Sequence, residues 1–373
     1  MSKILMITNH SYMLYRFRLE LIQELMKKHE VVLSMPFVGH EDDFQELGIR
    51  CIQTEVDRRG INPATDFKLF HTYQNLLRNE QPDLVITYSI KPNIYGGLAC
   101  AMAGIPYCAN VQGLGTAFQR KGLVQFVTVL YKLALGKAKT VFFENKANAE
   151  EFCRRGIIPT EKETVLPGAG INLERYPYVP YPQNTTARFL YLGRIMKEKG
   201  MDELFYAAKR LHDEGASFTL DLVGFFEDAY KEQVEALEAA GIAAFHGFQQ
   251  DPRPFYATAD CVVMPSYHEG MSNVNLEAAA TGRPIITTDI SGCREAVEDG
   301  ATGLLCRAGS GEELYGTMRR FLALPPEARA AMGQAGRKKM EREFDKKMVV
   351  SQTLRALGIE SANLIKLEVP FKR

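Results

Sequence analysis

The sequence predicts an α/β protein built from two doubly wound domains of similar size. Short apolar runs that suit buried strands alternate with longer amphipathic runs that suit helices, and this pattern indicates βαβ units around a mainly parallel sheet. The alternation is interrupted at residues 176–186, YPYVPYPQNTT, which contain three prolines and show no periodicity. Because it resumes beyond them, we divide the chain into domains of residues 1–178 and 179–349.

In the first domain, apolar runs predict the strands and amphipathic runs predict the helices. The predicted strands are Ile4–Thr8, Val31–Met35, Arg50–Thr54, Leu84–Tyr88, Tyr107–Val111, Thr140–Phe143 and Thr164–Leu166. The predicted helices are Arg16–Lys28, Asp66–Asn79, Tyr95–Ala103, Leu123–Leu135 and Ala147–Arg155. Since crossovers between parallel strands are right-handed, these units predict helices on both faces of one sheet.

The second domain repeats this pattern. Its predicted strands are Phe189–Leu192, Thr219–Val223, Ala244–His246, Cys261–Met264, Ile285–Thr288 and Gly303–Leu305, and its predicted helices are Asp202–Glu214, Ala229–Ala240, Pro254–Ala259 and Glu312–Leu322. The tail beyond Pro326 is helical in pattern, and its last part, roughly residues 350–373, is a candidate to pack back on the first domain. Open α/β sheets bind ligands at the carboxyl ends of their strands, so we expect the ligand site in the inter-domain cleft.

The composition is that of an ordinary globular protein, with 46% hydrophobic and 24% charged residues. Lys plus Arg and Asp plus Glu both number 45, so the net charge argues against nucleic acid as a partner. The seven cysteines are scattered without a C-x-x-C pair, which favours reduced, buried thiols over disulfides or a metal site. No signal-like segment and no apolar run of about 20 residues is found, so we expect a cytoplasmic protein.

The segment Asp260–Gly282, DCVVMPSYHEGMSNVNLEAAATG, predicts a strand, a loop and a helix that together suit an anion. The apolar run Cys261–Pro265 suits a buried strand, and the loop after it ends at Ser272, a good N-cap for the following helix. Gly282 is a typical helix end. Backbone N–H groups at such a helix start are unpaired and favour negative charge, so an anionic ligand is expected there.

Two glutamates frame this predicted anion site. Glu269 lies in the loop, and Glu277 lies about one turn into the helix, from where its side chain leans back toward the helix start. Taken alone, the two acids could be solvated surface groups. The three alanines that follow Glu277 indicate close helix packing, which favours a role in the site.

Four segments of the second half resemble, in order and spacing, glycosyltransferases of family 4, which have the two-Rossmann GT-B fold. They are GINLERYPY (Gly170–Tyr178), GRIMKEKGMDEL (Gly193–Leu204), DLVGFFEDAY (Asp221–Tyr230) and the long segment Phe245–Leu305, which holds E-x7-E at Glu269 and Glu277. The first resembles the hinge that leads into the second domain. E-x7-E alone is a weak signal, whereas the set of four is specific.

The first half resembles a narrower group, bacterial enzymes that elongate undecaprenyl-diphosphate-linked sugars, such as N-acetylgalactosaminyltransferases. The matching segments are YRFR (Tyr15–Arg18), INP (Ile61–Pro63), KPNIYGG (Lys91–Gly97) and QGLGTAF (Gln112–Phe118). This resemblance implies a lipid-linked oligosaccharide as acceptor. The candidates for contact with the acceptor or the sugar are His10, Tyr15, Arg18, Lys91, Asn93, Gln112 and Gly113.

The family resemblance also implies roles in the second domain. Arg194 and Lys199 stand where the family binds the diphosphate leaving group, and cations aimed at such charge contribute on the order of a few kcal/mol each. Their alternative interpretation is solvated charges on a loop. We call Arg194 and Lys199 the cationic clamp. The chain has no D-x-D sequence, so we expect the clamp to act without a metal ion or another cofactor.

Glu269 is expected to bind a hydroxyl of the donor sugar and, with Arg194 and Lys199, to complete the catalytic set. Glu277 is expected to accept hydrogen bonds from the ribose. The other residues expected to line the donor site are Gly193, Val223, Gly224, Phe248, Gly270, Met271, Ser272 and Asn273.

Two positions depart from the family pattern on the acceptor side. Residues 9–12, Asn-His-Ser-Tyr, replace a paired-glycine loop, and Gln112 stands where many relatives have a histidine. Gln112 can hydrogen-bond a sugar hydroxyl but cannot act as a base, so no catalytic base is assigned.

These observations predict a retaining, metal-independent glycosyltransferase that moves a sugar from a UDP-sugar to a lipid-diphosphate-linked glycan. Two alternatives stay open. One is an epimerase of UDP-N-acetylglucosamine with the same fold, and the other is a non-enzymatic two-lobed sugar-binding protein.

The segment Leu123–Leu135, LVQFVTVLYKLAL, is apolar and has basic flanks. One interpretation, slightly favoured, is a core helix of the first domain. The other is an interfacial helix that contacts anionic headgroups on the cytoplasmic face of the inner membrane. The flanking basic residues are Arg120, Lys121, Lys132, Lys137 and Lys139.

Overall fold

The computed structural model describes residues 1–58, 60, 62–114, 118 and 123–359, and it divides into two compact units. The first unit comprises Met1–Ala169 together with the chain from Lys347 onward, and the second unit is Gly170–Lys346. Some residues of the sequence motifs lie outside the described residues. These are Ile61, residues 115–117, Arg120, Lys121 and the tail from residue 360.

The second unit begins earlier than the division at 178/179 that the prolines suggested. Tyr176 is buried in this unit's core, and the N–H of Ile171 donates to the carbonyl of Phe344 at 2.7 Å. The buried guanidinium of Arg283 donates to the carbonyls of Val179 and Pro180 at 2.8 and 2.9 Å. The proline-rich segment is therefore packed onto the second unit.

The sheet of the first unit is parallel, with the strand order β3-β2-β1-β4-β5-β6-β7 among the described residues. Its strands are β1 (Lys3–Ile7), β2 (Glu30–Met35), β3 (Arg50–Gln53), β4 (Leu84–Tyr88), β5 (Tyr107–Val111), β6 (Val141–Phe143) and β7 (Glu163–Val165). Its helices are α1 (Ser11–Met26), α2 (Glu41–Glu46), α3 (Pro63–Glu80), α4 (Gly97–Ala103), α5 (Leu123–Leu135) and α6 (Lys146–Arg154).

Four helical segments of this unit differ from the sequence prediction by more than one residue. Helix α3 begins at Pro63 rather than at Asp66, because the side chain of Asn62 caps it. Helix α1 begins at Ser11 rather than at Arg16, because Leu14 already packs in the core. The short, acidic helix α2 was not predicted, and only Phe44 in it is buried. The predicted helix Tyr95–Ala103 is α4 only from Gly97 onward, and its first two residues belong to a π-helical turn over Pro92–Gly96.

The second unit also has a parallel sheet, with the order β10-β9-β8-β11-β12-β13. Its strands are β8 (Ala187–Ile195), β9 (Phe218–Phe226), β10 (Ala243–Phe245), β11 (Cys261–Met264), β12 (Ile285–Thr288) and β13 (Gly303–Cys306). Its helices are α7 (Met201–Asp213), α8 (Lys231–Ala239), α9 (Arg253–Thr258), α10 (Asn273–Thr281), α11 (Gly311–Ala323) and α12 (Pro326–Glu343). The predicted fold class, two doubly wound parallel-sheet domains, is confirmed.

The last described helix, α13 (Lys346–Leu357), packs on the first unit. Its Val350 and Leu354 are buried in the same apolar cluster as Leu14 and Leu25 of α1. The chain thus completes the first unit only after it has formed the second.

Strands β8 and β9 extend three residues beyond the ends predicted at Leu192 and Val223. The glycines at 193 and 224 resemble strand breakers in the sequence, but they face each other in the ladder. A Cβ at Gly224 would lie 1.8 Å from the carbonyl oxygen of Gly193, so only glycine lets the strands continue side by side. Arg194 consequently lies inside β8.

We expect Gly224→Ala to destabilise the second unit by at least about 2 kcal/mol, because the new Cβ clashes with backbone and φ is +151° there. Urea denaturation monitored by circular dichroism measures the change in the free energy of unfolding. The matched control is Gly316→Ala in α11, whose Cβ would meet no atom within 4 Å and which should gain about 1 kcal/mol of helix propensity. Equal midpoints for Gly224→Ala and wild type would contradict the account of this contact.

Candidate functional site

The start of α10 forms the centre of the candidate site in the second unit. The predicted strand Cys261–Met264 and helix Asn273–Thr281 are confirmed, and Ser272 caps the helix by accepting a hydrogen bond from the N–H of Asn275 at 3.4 Å. The N–H of Ser272 donates to the carbonyl of Gly292 at 2.6 Å. The loop before the helix is thereby held against the segment that follows β12.

The loop after β8 lies against the loop after β11. Gly200, with φ of +74°, is the N-cap of α7, and a Cβ there would lie 2.1 Å from the carbonyl oxygen of Pro265. The N–H of Tyr267 donates to the carbonyl of Glu198 at 2.9 Å. This close approach brings Lys199 to the loop that holds Glu269.

Lys199 and Glu269 form an ion pair, with the Nζ of Lys199 bonded to Oε1 of Glu269. Their side chains are only 15% and 14% exposed, so the pair is well shielded from water. The hydroxyl of Ser266 donates to the same Oε1 at 2.8 Å. The family resemblance implies that Lys199 and Glu269 contact different parts of one ligand, whereas the structure pairs them with each other and adds Ser266, to which the resemblance assigns no role.

Arg194 lies near the carboxyl end of β8 with its guanidinium 4.0 Å from the carboxylate of Glu227. Its carbonyl accepts a hydrogen bond from the buried hydroxyl of Tyr191 at 2.6 Å. Burial raises the pKa of Tyr191 well above its usual value, and the charge of Glu269 adds to this. The hydroxyl therefore stays protonated and fixes the backbone that presents Arg194.

Glu277 is buried in the second unit, with 4% of its surface exposed. The hydroxyl of Tyr256, from α9, donates to its Oε2 at 2.8 Å. The burial supports the packed helix that the neighbouring alanines predicted and shows that Glu277 is not a solvated surface acid. Tyr256 was not singled out in the sequence, because it is an ordinary aromatic position in a short helix.

The remaining predicted donor-side residues lie around the strand ends of this unit. Val223 and Met271 are buried, while Gly270 and Asn273 are partly buried at the loop and helix start. Phe248 is exposed, and its ring lies 6.3 Å from that of Phe225 at an interplanar angle of 62°. The two exposed rings thus meet edge to face beside the carboxyl end of β9.

In the first unit, three neighbouring strands end at polar residues. His10 follows β1, Ser89 follows β4, and Gln112 and Gly113 follow β5; β4 pairs with both of the other strands. The hydroxyl of Ser89 donates to Oε1 of Gln112 at 3.4 Å. Ser89 has φ of +75°, a strained conformation for a residue other than glycine, and no sequence pattern marks this position.

Four other acceptor-side candidates have partners inside the first unit. Lys91 pairs with Asp66 at 2.7 Å, and Arg18 pairs with Glu144 at 2.7 Å. Tyr15 stacks on His40 with ring centroids 4.1 Å apart. Asn93 is buried, where it accepts from Thr87 at 2.7 Å and donates to the carbonyl of Asn110 at 2.8 Å. The structure thus places Arg18 and Asn93 in internal contacts of the unit.

Among residues 1–58, 60, 62–114, 118 and 123–359, the structure shows no cluster of three or more histidine, cysteine or acidic side chains that could hold a metal ion. All seven cysteines lie within these ranges as free thiols; five are buried, whereas Cys51 and Cys153 are partly exposed, contrary to the expectation that all would be buried. No helix in the described part of the chain is both long and apolar enough to cross a bilayer.

Helix α5 has one buried face and one exposed apolar face. Val127, Tyr131, Ala134 and Leu135 are buried in the core of the first unit. On the other side, Phe126, Val129 and Leu133 are 56%, 56% and 61% exposed. The core-helix interpretation therefore accounts for only half of the segment. We call Phe126, Val129 and Leu133 the outer face of α5.

Comparison with known proteins identifies relatives of both units. Residues 3–145 match the family model "Glycosyl transferase 4-like" and residues 180–339 match "Glycosyl transferases group 1". The chain is 31% identical over 320 residues to N,N'-diacetylbacillosaminyl-diphospho-undecaprenol alpha-1,3-N-acetylgalactosaminyltransferase of Campylobacter jejuni, covering 81% of this chain and 84% of that protein. It is 25% identical to the capsular polysaccharide biosynthesis glycosyltransferase CapM of Staphylococcus aureus, covering 78% and 80%.

Among solved structures, HepE of Anabaena in complex with UDP is similar in fold. Its TM-score is 0.78 at 19% sequence identity, and the match covers 95% of this chain and 99% of that chain.

We expect acidification to weaken the fold through His10, because burial and the positive charge of Arg58 lower its pKa to about 4. In the unfolded chain a histidine binds its proton near pH 6.5, so the unfolded state gains the proton first as the pH falls. The stability of wild type relative to His10→Gln should be constant above about pH 7.5 and decline from pH 6.5 to 4. Urea denaturation of both proteins across this range measures the difference; parallel pH curves would contradict it.

Proposed function

Because this chain belongs to the family 4 glycosyltransferases, we propose that it transfers a sugar from a UDP-sugar to a lipid-diphosphate-linked glycan. The sugar is N-acetylgalactosamine, N-acetylglucosamine or a related hexose. The observation that carries the proposal is the shielded pair of Lys199 and Glu269 beside the start of α10. A cation, a carboxylate and a helix start together suit a sugar joined to a diphosphate.

The donor side of the proposal assigns each group to one part of a UDP-sugar. Lys199 and Arg194 neutralise the diphosphate as it leaves, since cations fixed in place stabilise charge that develops in the transition state. Glu277 accepts hydrogen bonds from the ribose, and the exposed rings of Phe225 and Phe248 lie on the side of the base. The choice of UDP is supported by HepE, which has been solved with UDP and with UDP-glucose.

We propose that no metal ion takes part, because two cations of the chain supply the charge that a divalent ion would otherwise bring. We also propose that the transfer retains the anomeric configuration, as the family resemblance implies. Glu269 is bonded to both Lys199 and Ser266 through one oxygen. This arrangement suits a group that positions the sugar more than a nucleophile.

The acceptor side rests on the first unit. The name of the Campylobacter jejuni relative gives its acceptor as a sugar on diphospho-undecaprenol, and this supports a lipid-diphosphate acceptor here. His10, Ser89 and Gln112, at three adjacent strand ends, are the groups we assign to the sugar side of that acceptor. The product then belongs to the assembly of a surface polysaccharide or a glycoprotein glycan.

A lipid-linked acceptor requires the enzyme to work at a membrane, and the outer face of α5 suits that contact. Met102, on the neighbouring helix α4, is a further exposed apolar side chain of this unit. Lys132, on α5, and Lys137, just after it, are exposed and attract anionic headgroups. We propose that the protein binds peripherally to the cytoplasmic face of an anionic membrane through this surface.

The activity is tested by incubating the enzyme with a panel of UDP-sugars, with and without a lipid-diphosphate acceptor, in buffer containing EDTA. We expect one UDP-sugar to release UDP only with acceptor present, and mass spectrometry to show one added sugar. Epimerised donor without acceptor would favour the epimerase instead, and sugar binding without turnover would favour a binding protein. Loss of activity in EDTA would contradict the metal-free mechanism.

We expect Arg194→Ala and Lys199→Ala each to lower kcat by a factor of about 10²–10³, because each substitution removes a positive charge that stabilises the leaving group. The matched control is Lys231→Ala, an exposed lysine on α8 of the same unit, which should keep wild-type turnover. Circular dichroism checks that all three variants remain folded. Near-wild-type kcat in both clamp variants would show that these residues do not bind the diphosphate.

For the membrane contact, we expect the double variant Phe126→Ser, Leu133→Ser to bind vesicles containing phosphatidylglycerol at least about tenfold more weakly, since each buried apolar side chain contributes about 1.5–3 kcal/mol. Turnover on a short-chain, water-soluble acceptor should be unchanged. Phe67→Ser removes an equally exposed ring from α3 and serves as the control. Undiminished sedimentation of the double variant with vesicles would exclude this surface.

A further inference from the structure

The contact between Tyr256 and Glu277 has no role in the function proposed so far. Tyr256 has no exposed surface, and its hydroxyl donates to Oε2 of Glu277 at 2.8 Å. A hydrogen bond from a neutral donor to a buried carboxylate is charge-assisted and stronger than one between two neutral groups. The contact is therefore strong enough to decide how the carboxylate is oriented.

The fold leaves the ring of Tyr256 little freedom to move. It is buried in an apolar cluster with Val223 of β9 and with Leu276 and Ala280 of α10. The ring of Tyr176 meets it edge to face, with centroids 6.2 Å apart. Because packed side chains keep one rotamer, the hydroxyl is presented to Glu277 from a fixed direction.

A glutamate has three rotatable side-chain bonds, and its carboxylate can turn to several positions in an unrestrained site. A fixed donor on one oxygen limits these positions before a ligand arrives. A ligand that hydrogen-bonds to a preoriented carboxylate loses less entropy on binding. The bond from Tyr256 thus acts on ligand affinity through Glu277 rather than through contact with the ligand.

We infer that Tyr256 is a positioning residue for nucleotide recognition, which holds the Glu277 carboxylate in the orientation that accepts hydrogen bonds from the ribose hydroxyls. This inference rests on the donor role of Glu277 in the proposed function. It assigns the selection of a ribonucleotide to a pair of residues, of which only one touches the ligand.

The test is Tyr256→Phe, which removes only the hydroxyl, with binding of UDP, 2′-deoxy-UDP and 3′-deoxy-UDP measured by calorimetry. We expect the variant to bind UDP three- to tenfold more weakly than wild type does. One of the two deoxynucleotides binds wild type more weakly than the other, because it lacks the hydroxyl that Glu277 accepts from. The affinity of the variant for that deoxynucleotide should be almost the same as that of wild type. The preference for the ribonucleotide therefore narrows. The KM for the UDP-sugar should rise by the same factor, with kcat at saturating donor within twofold of wild type.

The matched control is Tyr315→Phe. Tyr315 is also buried in the second unit and also donates to a glutamate, with its hydroxyl 2.7 and 2.6 Å from the two carboxylate oxygens of Glu214, but it joins α11 to the end of α7. This variant removes a similar bond outside the site. It should leave the preference for UDP over its deoxy analogues unchanged.

Glu277→Gln separates the two possible failures. If Glu277→Gln narrows the preference for UDP and Tyr256→Phe does not, the positioning role is wrong and the proposed function stands. An equal loss of affinity for all three nucleotides in Tyr256→Phe also overturns it, because a general structural effect would act on each of them. If Glu277→Gln leaves the preference intact, the ribose role of Glu277 fails, and the inference about Tyr256 fails with it.

Discussion

The candidate site of the second unit depends on close contacts between backbone segments. These contacts are possible only because the residues there are glycines, which have no Cβ. Gly224 lies against the carbonyl of Gly193, Gly200 against that of Pro265, and Gly292 against that of Glu269. An added Cβ would lie 1.8, 2.1 and 2.5 Å from these oxygens. Each contact joins a different pair of chain segments near the carboxyl ends of the strands. Backbone contacts therefore fix the position of the loops at the start of α10, and this fixes the position of the side chains that the loops carry.

The ion pair between Lys199 and Glu269 follows from this arrangement, because the contact at Gly200 brings the two loops together. In the absence of a ligand, each charge offsets the other, so the site does not hold a lone buried charge, which would be destabilising. Under the proposed function, a diphosphate competes with Glu269 for the lysine, because it carries more negative charge than one carboxylate. Ser266 is bonded to the same carboxylate oxygen, so under the proposed function it remains a partner of Glu269 when the lysine turns to the ligand. The hydroxyl thus makes the exchange less costly.

Local patterns in the sequence predicted the fold, but contacts between distant residues decided the details of the site. The strand Cys261–Met264 and the helix Asn273–Thr281 agree with the prediction, because an apolar run, a serine cap and a terminal glycine act locally. The ends of β8 and β9 were missed, since Gly193 indicates a break unless its partner across the ladder is known. Tyr256 is 21 residues from Glu277 in the chain, and no local pattern joins them. The exposed side of α5 likewise depends on which neighbours cover the other side.

The path of the chain through the two units has a consequence for how such proteins diversify. The second unit starts and ends side by side, since Ile171 bridges to Asp345 in parallel and its N–H bonds to Phe344. Because the first and last residues of the second unit are adjacent, this unit is inserted into the chain of the first unit at a single place. It can therefore be replaced by another unit without new linkers. Recombination at these two crossings would exchange one complete sheet with its loops for another. The first unit, completed by α13, would keep its own core through such an exchange.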